Sequence, residues 1–92
     1  MIRVEWTGDA LSDLTRLHSF LAPLNPRAAA QIVRSLTAAP SRLLEHPRIG
    51  EKLEEFEPRE VRRILVGNYE MRYEIRRSTI YIVRLWHTRE ER

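Results

Sequence analysis

The side chains able to do chemistry in this chain are mostly guanidinium and carboxylate groups, with three imidazoles and no thiol. Every basic residue except Lys52 is an arginine, whose planar fork takes phosphate or carboxylate in bidentate fashion. Residues 1–58 carry seven basic and eight acidic groups, whereas residues 59–92 carry nine basic and five acidic. That excess suits a nucleic acid or an acidic protein partner, although arginine-rich codon usage would leave the same trace. Without cysteine there is no thiolate nucleophile, no disulfide framework and no cysteine-based zinc site. His18 and His46 are too remote in sequence to suggest zinc, so no metal is expected. Glu51, Glu54, Glu55 and Glu57 have the spacing of a solvated run. The scattered glycines form no phosphate-binding loop, no serine sits in a nucleophile motif, and no cofactor is expected.

The densest chemistry lies between Tyr69 and Arg76, where Glu70, Arg72, Glu74 and Arg76 alternate with Tyr69, Met71, Tyr73 and Ile75. A period of two puts the charged set on one face of a strand and the apolar set on the other. One face is then core, and the other meets water or a ligand. Val61 to Val66 and Thr79 to Trp86 read as flanking strands, separated by Gly67-Asn68 and Arg77-Ser78, lengths suited to tight hairpins. The last strand is apolar on both faces, through Tyr81, Val83 and Leu85 on one side and Ile80 and Ile82 on the other, which places it inside the sheet.

Upstream, Ile2, Val4 and Trp6 alternate with Arg3 and Glu5 as in a short strand. Thr7 or Asp9 can cap a helix whose stripe runs through Leu14, Leu17 and Leu21, flanked by Leu11 and His18. Asn25-Pro26 starts a second helix, because asparagine accepts from orphan amides and proline has no amide hydrogen to orphan. Its stripe is Ala29, Ile32, Val33, Leu36 and Ala39. Pro40 ends or kinks it, one more helical stretch can run from Ser41 to His46, and Arg48 to Arg59 reads as a connecting loop. A chain of 92 residues supports one core, hence a single domain over 1–92. The expected architecture is α+β in two layers: an N-terminal strand, an antiparallel helical hairpin, and a three-stranded antiparallel meander completing one sheet. No segment is long and apolar enough to span a membrane, so no membrane partner and a cytoplasmic location are expected.

Arg62-Arg63-Ile64-Leu65-Val66-Gly67-Asn68-Tyr69, followed by Tyr73, Ile75 and a last apolar strand ending Leu85-Trp86-His87-Thr88-Arg89-Glu90, resembles the C-terminal signature of the RelE/ParE toxins. Asn25-Pro26 with Ala28 and Ala29, then His46-Pro47-Arg48-Ile49-Gly50, is similar to that family's second helix and the turn after it. The resemblance implies the toxin of a toxin-antitoxin pair, with a cognate antitoxin protein as partner. An antitoxin segment wrapping helices and sheet is then expected at Phe20, Leu24, Arg72 and Arg76. Exposed, Phe20 and Leu24 form an apolar patch for it; folded inward, they merely close the hairpin.

The family has two branches. RelE-like members resemble ribonucleases acting on messenger RNA at the ribosome, which needs a base, an acid and cations around the phosphorane. Here Arg72 and Arg84 could supply cations, Glu74 a base and His87 an acid, imidazole being a common proton carrier. Otherwise His87 is a half-exposed residue at a strand end. In that branch an arginine commonly follows the first tyrosine of the middle strand, and this chain has Glu70, which would repel phosphate. ParE-like members are implied to inhibit DNA gyrase by binding, with no catalytic residues and with the C-terminal end engaged. Trp86, His87, Arg89 and Arg92 form such an aromatic and cationic end, and tryptophan and arginine dominate binding hot spots. The ParE-like reading is favoured on Glu70.

Overall fold

A computed structural model describes residues 1–90. Strand β1 (Arg3–Trp6) leads into helix α1 (Gly8–Leu21), then α2 (Pro26–Ala38) and a short α3 (Pro40–Glu45). Strands β2 (Glu51–Lys52), β3 (Glu60–Val66), β4 (Tyr69–Arg76) and β5 (Thr79–His87) follow, and the sheet order is β1-β5-β4-β3-β2. Strand β1 runs parallel to β5 at one edge, and every other pairing is antiparallel. This is the expected α+β fold, with β5 inside the sheet.

The helix starts follow the sequence. Thr7 Oγ1 accepts from the Ala10 amide at 3.1 Å, and Asn25 Oδ1 accepts from the Ala28 amide at 3.1 Å, caps worth about 1 kcal/mol each. The three helices lie on one sheet face, where Leu17, Leu36 and Leu43 meet Met71, Tyr73, Ile80, Ile82 and Leu85. Each fully buried apolar side chain contributes roughly 1.5–3 kcal/mol.

Three expectations are corrected. The stretch from Arg48 to Arg59 is not merely a loop: Glu51 and Lys52 pair with Arg63 and Arg62, and a 3-10 turn spans Glu54–Phe56. Two residues are too few to show alternation, but Leu53 is buried and Phe56 packs on the Arg72 guanidinium. Second, Leu85 does not share a face with Tyr81. The pairing shifts between Arg72↔Arg84 and Tyr73↔Ile82, so Val83 is an extra residue that flips the parity of the strand. Leu85 thereby joins Ile80 and Ile82 in the core. Third, the charged face of β4 is not open: Glu70 is 1% exposed and Glu74 4%.

Both hairpin loops begin with a residue of positive φ, Gly67 at 60° and Arg77 at 56°. Glycine takes that conformation freely, whereas an L side chain there costs roughly 1–2 kcal/mol.

Candidate functional site

Two surfaces carry the candidate residues. On the face away from the helices, strand register arranges side chains in rows across the sheet. At the rim beside the β4–β5 turn stand Arg3, Thr79 and Arg76, with Arg59 just ahead of β3; then come Glu5, Tyr81, Glu74 and Val61. Next are Arg84, Arg72 and Arg63, and finally Trp86, Glu70 and Leu65. Arginines directly opposite one another repel, and the neighbouring carboxylates offset this. Glu70 meets Arg72 at 3.1 Å and Arg63 at 3.3 Å, while Arg63 also reaches Glu51 at 2.8 Å. Glu74 takes a two-point contact from Arg59, at 2.8 and 3.2 Å, and is approached by Arg76 at 3.6 Å. The hydrogen bonds from Arg59 outweigh burial and hold the Glu74 carboxyl below its ordinary range.

Aromatic rings complete this layer. The Arg72 guanidinium lies between Phe56 and Trp86, 5.4 and 4.8 Å from their centroids, and Arg84 lies 5.2 Å from Trp86. Trp86 is only 5% exposed. Glu70 therefore acts here as a buried counterion that already occupies the cations a phosphate would need. It is not a surface charge repelling phosphate, as its position in the sequence suggests.

Asp13 escapes the sequence reading and organises the edge of β5. Strand β1 stops at Trp6, opposite Ile82, so β5 beyond that point needs other hydrogen-bond partners. Helix α1 and its N-cap provide them. The Thr7 hydroxyl donates to Ile82 O at 3.0 Å, Asp13 Oδ2 accepts from the Leu85 amide at 2.8 Å, and Arg16 donates to Leu85 O at 3.0 Å. Asp13 is 5% exposed and also accepts from Arg84 Nε at 2.8 Å. Burial pushes its pKa up, but hydrogen bonds from Arg84, the Leu85 amide and Arg16 outweigh this and leave it below the usual carboxylate range. A signal was present: Asp13 stands three residues after Ala10 and four before Leu17, inside the apolar stripe.

The second surface is on the helix side. A groove of about 520 Å³ is lined by Arg16, Leu17, Phe20, Leu21, Tyr69, His87, Arg89 and Glu90. Phe20 is 76% and Leu24 74% exposed, so the hairpin does not fold them inward. The His87 ring meets Tyr69 edge-on at 5.0 Å, and its Nδ1 accepts from the Arg89 amide at 3.1 Å, leaving Nε2 to carry the proton of the neutral ring. Glu90 accepts from the His87 amide and pairs with Arg16, tying the turn after β5 back to α1.

The sheet thus divides residues that the sequence grouped. His87 pairs with Tyr69 and lies on the helix side, whereas Arg72, Arg84 and Glu74 belong to the other face. The proposed acid and its cations and base are not brought together. Likewise Trp86 and His87 point oppositely; His87 and Arg89 stay together in the groove wall, and Arg92 lies outside the described residues. Phe20 and Leu24 are on the helix side, while Arg72 and Arg76 are on the opposite face. Among the described residues no group of three or more His, Cys, Asp or Glu could hold a metal ion, and no helix is long and apolar enough to cross a membrane.

Comparison with known proteins agrees with this fold. Residues 4–92 match the family model of the ParE toxin of the type II toxin-antitoxin system, parDE. The chain is 33% identical over 87 residues to Toxin RelE2 of Caulobacter vibrioides, covering 95% of this chain and 96% of that protein. The fold is similar to a chain of the chromosomal ParDE TA system from P. aeruginosa, with a TM-score of 0.79 and 20% identity over 95% of this chain and 96% of that one.

Proposed function

The chain belongs to the ParE toxin family of type II toxin-antitoxin systems, and on that premise we propose that it inhibits DNA gyrase by binding, without catalysis of its own. The observation that carries this reading is the division of the site by the sheet. General acid-base cleavage of RNA needs base, acid and cations within hydrogen-bond reach of one phosphate. His87 lies on one face and Arg72, Arg84 and Glu74 on the other, with Glu74 engaged by Arg59 and Arg84 by Asp13. A binding mechanism needs no such assembly.

A type II toxin has a cognate antitoxin, and the groove beside Phe20 and Leu24 is where we place its apolar anchors. Its walls are Leu17, Phe20, Leu21 and Tyr69, with Arg16 and Arg89 at the rim. That chemistry fits an amphipathic, acidic segment. Only an antitoxin that also wraps the other face would reach Arg72 and Arg76. For the target, the C-terminal end offers exposed Arg89 and half-buried His87, while Trp86 is buried on the opposite face of the sheet. An antitoxin seated in the groove would cover both.

The alternative, a ribosome-dependent messenger RNA endonuclease, rests on His87 with Arg72, Arg84 and Glu74, which the sheet separates. The His87→Ala variant separates the two. Under the binding reading neither the parent chain nor the variant cuts ribosome-bound message, whereas message cut by the parent and left intact by the variant would establish the nuclease. Phe20→Glu tests the groove: the toxin stays folded and antitoxin affinity falls at least tenfold.

A further inference from the structure

The rim of the sheet at the β4–β5 turn holds a cation cluster that neither the groove nor the C-terminal end uses. Arg3 on β1, Arg76 on β4 and Arg59 ahead of β3 stand in one row on the face away from the helices, with Thr79 of β5 between Arg3 and Arg76. At the strand spacing of about 4.8 Å this row is roughly 14 Å long. Backbone and side-chain hydrogen bonds fix it: the Arg3 amide donates to Ser78 O at 3.0 Å, and Arg3 Nε donates to Thr79 Oγ1 at 3.4 Å. The Arg76 guanidinium stacks on Tyr81 at 4.5 Å.

Among the described residues two carboxylates serve these groups, Glu5 with Arg3, and Glu74 shared by Arg59 and Arg76. Arg77 extends the row at the tip of the turn, is exposed, and forms no ion pair among the described residues. It also takes the left-handed φ of 56° for which the matching position of the other hairpin uses Gly67. Among the described residues, four guanidinium groups against two carboxylates give this rim a surplus of two positive charges. The row offers forks without an apolar recess, so its attraction is to a dense line of charge more than to a peptide.

We propose that Arg3, Arg59, Arg76 and Arg77 form a contact surface for the phosphate backbone of a nucleic acid. Binding is through charge and is independent of sequence. It does not depend on the gyrase reading, since none of the four residues lines the groove or the C-terminal end.

The test is fluorescence anisotropy of the purified chain with a labelled 20-base-pair DNA duplex and, separately, a 20-nucleotide single-stranded RNA, between 25 and 200 mM salt. Binding at micromolar concentration in low salt is expected, with log K falling against log salt at a slope of about −2 to −3. Arg77→Asn, which tolerates the same φ, should weaken binding about fivefold and make the slope shallower by nearly one. Arg3→Gln with Arg76→Gln should remove most of the remainder. Arg27→Gln with Arg34→Gln lowers the net charge by the same amount as that pair but at α2, and should leave affinity within twofold. The ratio of duplex to RNA affinity identifies which nucleic acid is preferred. Equal weakening by the α2 variant, no binding of either nucleic acid at 100 µM chain, or tighter binding of a polyglutamate peptide would each overturn the proposal.

Discussion

Replacing Asp13 by alanine should destabilise the chain, because it removes the group that closes the free edge of β5. The carboxylate accepts from the Leu85 amide at 2.8 Å, from Arg84 at 2.8 and 3.2 Å, and from Arg16 at 3.2 Å. Alanine leaves the Leu85 amide without a partner at the point where β1 no longer covers β5, at about 1–3 kcal/mol for an unsatisfied buried donor. Loss of the ion pairs adds less, because the Arg84 and Arg16 side chains are 47% and 41% exposed and water takes over much of their solvation. The sum is about 2–3 kcal/mol, or roughly 10–20 °C in Tm for a domain of this size. Asp13→Asn keeps an acceptor for the amide and should lose about half as much. Thermal unfolding followed by circular dichroism, with urea titration of the same variants, reads both numbers. An alanine variant within ~0.5 kcal/mol of the parent, a typical effect for a surface site, would refute the assignment of Asp13 as the cap of the β5 edge.

Acid should act through the same residue. Asp13, Glu60 and Glu74 all have pKa values held below the ordinary range, Asp13 against its burial and the glutamates chiefly by Arg48 and Arg59 respectively. Folded values below unfolded ones of about 3.9–4.3 mean their stabilisation is complete above that range and is lost as pH falls through the folded values. Tm should therefore be level from about pH 5 to 7 and fall below pH ~4; a decline beginning near pH 6 would contradict this. Gly50→Ala should cost at least ~2 kcal/mol in urea unfolding, since a Cβ there would lie 2.6 Å from Arg63 O and 2.7 Å from the Tyr73 hydroxyl. Tyr73→Phe should cost about 1–3 kcal/mol, because that buried hydroxyl donates to Pro47 O at 2.7 Å and accepts from the Gly50 amide at 3.0 Å. Unchanged stability in either variant would show that the turn from Pro47 to Gly50 is not pinned by Tyr73.

What was legible in the sequence was what local rules decide. The alternation from Tyr69 to Arg76 gave both faces of β4 correctly, and Asn25-Pro26 marked a helix start that the structure reproduces with its cap. The opposite pointing of Trp86 and His87 was also readable, since neighbours on a strand alternate; grouping them as one binding end ignored that. What was hidden depends on contacts between distant segments. Strand β2 has two residues and exists only through Arg62 and Arg63. The extra residue at Val83 carries no glycine or proline to announce it, yet it decides that Leu85 is core. The burial of Glu70 and Glu74 is matched by Arg63 on β3 with Arg72, and by Arg59 with Arg76, a set that no window on β4 contains in full.

The central claim is inhibition by binding, and it is tested most directly by assaying gyrase supercoiling with the purified chain beside a translation reaction scored for messenger cleavage on ribosomes. Blocked supercoiling at micromolar toxin, reversed by the antitoxin, with message intact, is the predicted result. Cleaved message with normal supercoiling would contradict it, and would mean that His87 and the arginines across the sheet act together in a way this arrangement does not provide.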